Sequence, residues 1–315
     1  MPAERRLGMD HQHYPWSALP TRPVLRWPDG QTLALCVVVL LEHYEWQPPT
    51  TSYSLRRPSG GIVALPHPDY VRLTHREYGH RVGIFRVLDT LEAHGIPATV
   101  AMDALTAENY PWLANHCVQR GVELVGHGVA ANRLITSRMS EDDERQTIAR
   151  SMAALQAVSG RAPLGWFSPE AAESARTPQL LAEAGIRYLC DWPNDEQPYA
   201  MTVDAGELTA LPMFLEADDE FALWHRRMSL LGWSQLVVQA ARRLHTDGAS
   251  NARLLVLTLR PWLVGQPFRI GALDQALSQI MSWPGVWAAQ GGDITAWFRS
   301  PAATEAPEAP AAGPG

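Results

Sequence analysis

Thr32-Leu33-Ala34-Leu35-Cys36-Val37-Val38-Val39-Leu40-Leu41 runs directly into Glu42-His43-Tyr44-Glu45. The uncharged part is continuously apolar and rich in β-branched side chains, as expected of a strand covered on both faces of a sheet. It is far too short to cross a bilayer. Other short apolar runs follow: Ala98–Met102, Val122–Val125, Leu164–Phe167, Tyr188–Cys190, Leu208–Met213, Leu254–Leu259 and Val286–Ala289. Between them lie stretches of helical period. Val82–His94 carries Val82, Phe85, Leu88 and Leu91 on one face and stops at Gly95, and Glu141–Val158 follows Ser140 as its N-cap. Trp233–His245 and Leu273–Met281 complete the predicted helices. Strands alternating with crossover helices predict an α/β chain, wound as a distorted (β/α) barrel with its chemistry at the carboxyl ends of the strands. No repeat of fixed period is present.

Residues 31–299 form the predicted barrel domain. Residues 1–30, with His11, His13, Trp16, Trp27 and several prolines, read as an extended arm on the surface. Residues 300–315, mostly Ala, Pro, Glu and Gly, read as a disordered tail, too poor in apolar bulk to offset the entropy of ordering.

The net charge of -7 lacks the positive field that nucleic acid requires. All 26 basic residues are arginine. With no lysine there is no Schiff-base aldolase, no pyridoxal phosphate anchor, no serine-lysine hydrolase and no Gly-Lys-Ser/Thr phosphate loop. Cys36, Cys117 and Cys190 lie far apart and argue against a disulfide framework. No signal-peptide pattern opens the chain, so a cytoplasmic protein without a membrane partner is expected. The aromatic arm suggests a homo-oligomer.

The predicted strands exit into chemistry. The first leads to Glu42, His43 and Glu45; later ones lead to Asp103, to Gly126-His127-Gly128, to Ser168-Pro169-Glu170, to Asp191-Trp192 with Asn194 and Asp195, and to Arg260-Pro261-Trp262. Ordinary loops place some charges at such points. Carboxylates, a Gly-flanked imidazole and a guanidinium at so many exits suggest one shared site.

Several of these segments resemble the polysaccharide deacetylase (NodB-homology) superfamily. They are Gly126-His127-Gly128, Gly165-Trp166, Cys190-Asp191-Trp192 with Asn194 to Tyr199, and Leu259-Arg260-Pro261-Trp262 continuing to Ile270. Together with Tyr78-Gly79-His80-Arg81-Val82-Gly83, they are most similar to its branch of allantoinases and cyclic-imide hydrolases. The resemblance spans Leu33 to Phe298 and implies hydrolysis of a non-peptide carbon–nitrogen bond. Metal-dependent deacetylases of this superfamily hold a divalent ion with an Asp and two His in a His-x-x-x-His motif. Here the second position is Ala131, followed by Asn132, and Arg260 stands where many relatives carry a His.

The resemblance implies a small-molecule substrate, a cyclic amide, ureide or imide, opened without a cofactor. Glu42, with Glu45 competing for the role, would activate water; His127 and Arg260 would stabilise the oxyanion. Trp166, Trp192 and Trp262 would form a slot for a planar ring, with Asp191, Asp195 and Asn132 as polar contacts. If zinc is bound, Glu42 and His127 would be its ligands. Two other readings remain open: a metal-dependent deacetylase of an N-acetylated sugar, and a non-catalytic binding protein on the same barrel.

Overall fold

The computed structural model describes residues 9–49 and 68–304; His67 and the tail beyond Thr304 lie outside the described residues. Among the described residues, nine strands form one curled sheet surrounded by helices, a (β/α) barrel. They are β1 (Leu33–Leu41), β2 (Ala98–Met102), β3 (Glu123–Gly126), β4 (Gly165–Trp166), β5 (Tyr188–Leu189), β6 (Tyr199–Ala200), β7 (Thr209–Ala210), β8 (Arg253–Leu259) and β9 (Val286–Ala288). The order across the sheet is β6-β7-β5-β4-β3-β2-β1-β8, with β9 pairing to β1. All pairs are parallel except β6 with β7, a short hairpin that strand patterning did not predict. Met213 bridges to Val256 and brings the far side of the sheet round to β8.

Alternation along β1 divides the core. Leu33, Leu35, Val37, Val39 and Leu41 pack against the outer helices. Ala34, Cys36, Val38 and Leu40 point into the barrel, where they meet Phe167, Tyr188 and Leu254. Burial on both faces is why β1 tolerates no polar residue before Glu42. The three cysteines are buried free thiols within this packing.

Two segments near the ends of the described residues pack into the core. Leu25 and Trp27 are buried in the barrel interior, and Trp27 Nε1 donates to the Arg253 carbonyl at 2.6 Å. Arg253 opens β8, so the arm plugs the end of the barrel opposite Glu42. Pro301–Ala303 form a 3-10 turn with Ala303 buried, and the Ala303 carbonyl accepts from Arg26 N at 2.8 Å. Apolar contact and backbone pairing hold these residues against the arm.

The Tyr78-to-Gly83 motif has a packing role. Residues Gly79–Gly83 form a π-turn against Pro261–Val264, and a Cβ at Gly83 would sit 2.0 Å from the Pro261 carbonyl oxygen. Glycine there lets two backbones touch directly beneath Arg260. Among the described residues, no helix is long and apolar enough to cross a membrane.

Candidate active site

Strand register assembles the site. Leu41 pairs with Met102, Met102 with Gly126, and Gly126 with Trp166. The next residue in each chain, namely Glu42, Asp103, His127 and Phe167, therefore falls in one layer just past the strand ends. Val39 pairs with Leu259, which brings Arg260 in from the opposite side of β1.

His127 Nε2 lies 3.6 Å from Glu42 Oε1, long for a hydrogen bond but within ion-pair range, and both side chains are buried. Its Nδ1 donates to the Phe167 carbonyl at 2.5 Å, which turns Nε2 toward the carboxylate. Burial opposes a charged imidazole. The Glu42 carboxylate outweighs it, aided by Asp103 and the Phe167 carbonyl, and holds the His127 pKa above its usual value. His127 Nε2 and Glu42 Oε2 have no hydrogen-bond partner among the described residues, although buried polar atoms are normally satisfied. Asp103 plays a supporting part: its two oxygens accept from the Thr106 and His43 amides at 2.7 and 2.5 Å. Burial pushes its pKa up to about 7.

Arg260 is enclosed by acids. Its Nη1 donates to both oxygens of Asp218 at 3.0 and 2.8 Å, and its Nε lies 2.7 Å from Glu220 Oε2 and 3.4 Å from Glu42 Oε2. Asp219 caps the same segment, accepting from Arg260 N at 2.8 Å. Arg76 adds a second cation: it pairs with Glu220 at 2.7 Å and lies over the Trp262 ring, 3.6 Å from its centroid. Burial pushes Glu220 up, but Arg76 and Arg260 more than offset it and hold its pKa at about 2. Asp219, pressed by burial and by the Asp218 charge, is raised well above the usual carboxylate range. The triplet Asp218-Asp219-Glu220 and Arg76 went unread in the sequence. The triplet follows the Leu208–Met213 run through an irregular link, where a strand-end rule does not reach, and Arg76 sits on a helix remote from any strand end.

A cavity of about 490 Å³ opens beside this cluster, lined by Asp191, Arg260, Asp218 and Glu220 with apolar walls from Phe167, Met213, Leu215 and Phe221. Asp191 is buried, with Oδ1 accepting from Ser168 N at 2.7 Å. Burial together with the Asp191 charge raises the neighbouring Glu173 well above its usual pKa, so Glu173 holds the proton of the pair.

Other residues expected at the site are engaged elsewhere. Both Glu45 oxygens are bound by Arg133 at 2.5 and 2.6 Å. The Asn132 amide bonds the Glu45 backbone in both directions, so this pair staples a loop. Asp195 anchors the N-terminal arm through a two-pronged pair with Arg22 at 2.8 and 2.6 Å. Asn194 accepts from the Tyr199 hydroxyl. Trp166 is fully buried beneath Gly126, where a Cβ would come within 2.4 Å of its ring, and its Nε1 donates to Ser168 Oγ. Trp192 packs edge-on against Tyr14 and His13 of the arm, and Trp262 lies under Arg76. The three tryptophans thus form no common slot, because each satisfies a different packing demand. His80 is also core: it bonds Thr106 Oγ1 at 3.0 Å, and burial, reinforced by His43, holds its pKa down to about 3.

The donor set does not fit a catalytic zinc. Such a site needs three protein ligands. Glu42 and His127 supply two, Ala131 is a buried methyl whose amide bonds the His43 carbonyl, and the Arg260 cation already lies against Glu42. Among the described residues no group of three His, Cys, Asp or Glu is disposed to hold a metal ion.

Comparison with known proteins agrees with this architecture. The polysaccharide deacetylase family model matches residues 68–189. A Schizosaccharomyces pombe protein named for the polysaccharide deacetylases is 25% identical over 240 residues, 70% of this chain and 74% of its own. Puue allantoinase superposes with a TM-score of 0.79 at 25% identity, over 88% of this chain and 94% of its own. A Mycobacterium smegmatis protein, also named for the polysaccharide deacetylases, gives a TM-score of 0.74 at 26% identity over 88% and 94%. A Pseudomonas aeruginosa PAO1 protein of similar name gives 0.79 at 24% identity over 88% and 95%, a likeness of fold. Over residues 68–189 the chain is thus similar to the polysaccharide deacetylase family, and it shares the fold of these structures, an allantoinase among them.

Proposed function

We propose that the protein is an amidohydrolase that opens a carbon–nitrogen bond of a small cyclic amide, ureide or imide. The observation that carries the reading is the buried Glu42–His127 pair, 3.6 Å apart, whose respective partners Arg260 and Phe167 line a cavity of small-molecule size. The Puue allantoinase likeness supports the reaction class.

Glu42 takes a proton from water as the oxygen adds to the substrate carbonyl carbon. In its protonated form His127 hydrogen-bonds the developing oxyanion and then passes its proton to the departing nitrogen as the carbon–nitrogen bond breaks. The products are a carboxylate and an amine or amide nitrogen. Arg260, with Nη1 bonded to Asp218 and Nε within ion-pair range of Glu220 and Glu42, serves to fix the position of Glu42.

Glu42→Gln, with the fold verified by circular dichroism, should abolish turnover on a panel of allantoin, dihydropyrimidines, hydantoins, succinimides and chitin oligomers, assayed with and without a chelator. Unchanged turnover removes Glu42 from the mechanism. Loss of activity on chelation, with chitin oligomers as the preferred substrate, replaces this reading with the metal-dependent sugar deacetylase.

A further inference from the structure

Arg260 holds one nitrogen that its acid partners leave unused. Its Nη1 is bonded twice to Asp218, at 3.0 and 2.8 Å, and its Nε, closed off from solvent, faces Glu220 at 2.7 Å and Glu42 at 3.4 Å. Nη2 makes no hydrogen bond among the described residues and, unlike Nε, is not shut away from solvent. Because Arg260 lines the cavity, Nη2 is the atom it shows there. A guanidinium is planar and rigid, so holding Nη1 and Nε also fixes the direction of Nη2. The donor is aimed before any ligand arrives.

The surrounding acids decide what kind of acceptor it suits. The positive charge of Arg260 is already shared among three carboxylates, and a ligand carboxylate at Nη2 would face Asp218 and Glu220 on the same cavity wall. A neutral carbonyl oxygen accepts from Nη2 without that repulsion. Glu42 stands between the two donors of the site, its Oε1 3.6 Å from His127 Nε2 and its Oε2 3.4 Å from Arg260 Nε. A ring whose reacting carbonyl lies at Glu42 and His127 therefore turns its far side toward Arg260, with its apolar edge against Phe167, Met213 and Phe221.

We infer that Arg260 Nη2 donates to a second, non-reacting carbonyl oxygen of the substrate, and so selects rings with a carbonyl on both sides of the nitrogen over simple lactams. The inference rests on the amidohydrolase reading of the site and gives Arg260 a part in substrate choice besides fixing Glu42.

The test uses three five-membered rings that differ only at the carbon across the nitrogen from the amide carbonyl: succinimide carries an oxygen there, pyrrolidin-2-one carries none, and pyroglutamate carries a carboxylate. Binding to the full chain is measured by calorimetry, and ring opening by chromatography. Succinimide should bind at least about tenfold tighter than pyrrolidin-2-one, the worth of one hydrogen bond to a charged donor, and pyroglutamate should bind no tighter than pyrrolidin-2-one. Arg260→Lys keeps a cation for Asp218 but removes the fork, so the ratio of succinimide to pyrrolidin-2-one affinity should fall close to unity. A purely structural role for Arg260 would weaken both compounds alike and leave that ratio unchanged, which overturns the inference. Equal binding of succinimide and pyrrolidin-2-one by the parent chain, tightest binding of pyroglutamate, or failure of all three to bind also overturns it, whether or not the variant folds. Ring opening of succinimide without a preference over pyrrolidin-2-one in binding sinks the role of Nη2 and leaves the amidohydrolase reading standing. Succinimide-selective binding that depends on Arg260 but is not followed by ring opening supports the donor assignment and counts against the reaction.

Discussion

Replacing Arg260 by Met tests whether this guanidinium is the keystone of the acidic cluster. The change keeps an unbranched side chain but removes the charge lying 2.8 Å from Asp218, 2.7 Å from Glu220 and 3.4 Å from Glu42. Glu220 keeps its Arg76 partner at 2.7 Å, and Asp218 keeps the Thr258 hydroxyl at 2.7 Å and the Phe221 amide at 2.8 Å. The groups left short of compensating charge are therefore chiefly Asp218 and, with only His127 at 3.6 Å remaining, Glu42. Breaking a buried ion pair costs about 3–5 kcal/mol, largely because the surviving charge stays buried. At roughly 2–4 °C per kcal/mol for a chain of this size, Tm should fall by about 10 °C at neutral pH.

The sign with pH follows from Glu220. Its pKa is depressed to about 2 by Arg76 and Arg260 against the opposing effect of burial. Its stabilising contribution is present above the unfolded value near 4.5 and is lost as pH falls through about 2. In the variant the carboxylates accept protons at higher pH, so the Tm deficit should narrow between pH 7.5 and pH 5. Thermal melts of the parent, Arg260→Met and the double variant Arg260→Met/Asp218→Asn at both pH values provide the assay. The double variant should recover part of the loss, because it neutralises one of the orphaned acids. A Tm within about 2 °C of the parent at both pH values would refute the argument that these acids need Arg260.

Two further outcomes separate working groups from loop staples. Glu45→Ala should leave turnover within a few-fold of the parent and cost no more than about 1 kcal/mol in a urea melt, because its partly exposed pair with Arg133 only ties a loop. For His127, whose pKa is raised by Glu42 against burial, kcat should decline as pH rises above the ordinary imidazole range, when the proton that serves the oxyanion is lost. His127→Asn should flatten that limb, and the ion-pair contribution of His127 to stability should be full below the unfolded value of 6.5 and disappear as pH passes the higher folded value.

The strands were readable in the sequence because β1, β2 and β8 are buried on both faces and leave unbroken apolar runs. The short β4, β5 and β7 were found within longer apolar stretches, whereas the β6 hairpin carries no such signal. The same reading brought out Glu42, His127 and Arg260, since a polar residue directly after a buried strand has one place to go in a parallel sheet. Glu45, Asn132, Asp195, Trp166 and Trp192 could not be sorted from them, because partner choice depends on residues distant in the chain: Arg133 for Glu45, Arg22 for Asp195, Gly126 for Trp166.

Local sequence thus determined which segments are strands and which side chains stand at their ends, since both follow from burial periodicity and the chain direction of a parallel sheet. Only the tertiary structure decided what those side chains do for one another. It paired Glu42 with His127 through strand register, and it enclosed Arg260 among Asp218, Asp219 and Glu220, 40 or more residues away in the chain. Electrostatic partnership is set by distance in space and by exclusion of water, and neither quantity is written in the order of residues along a chain.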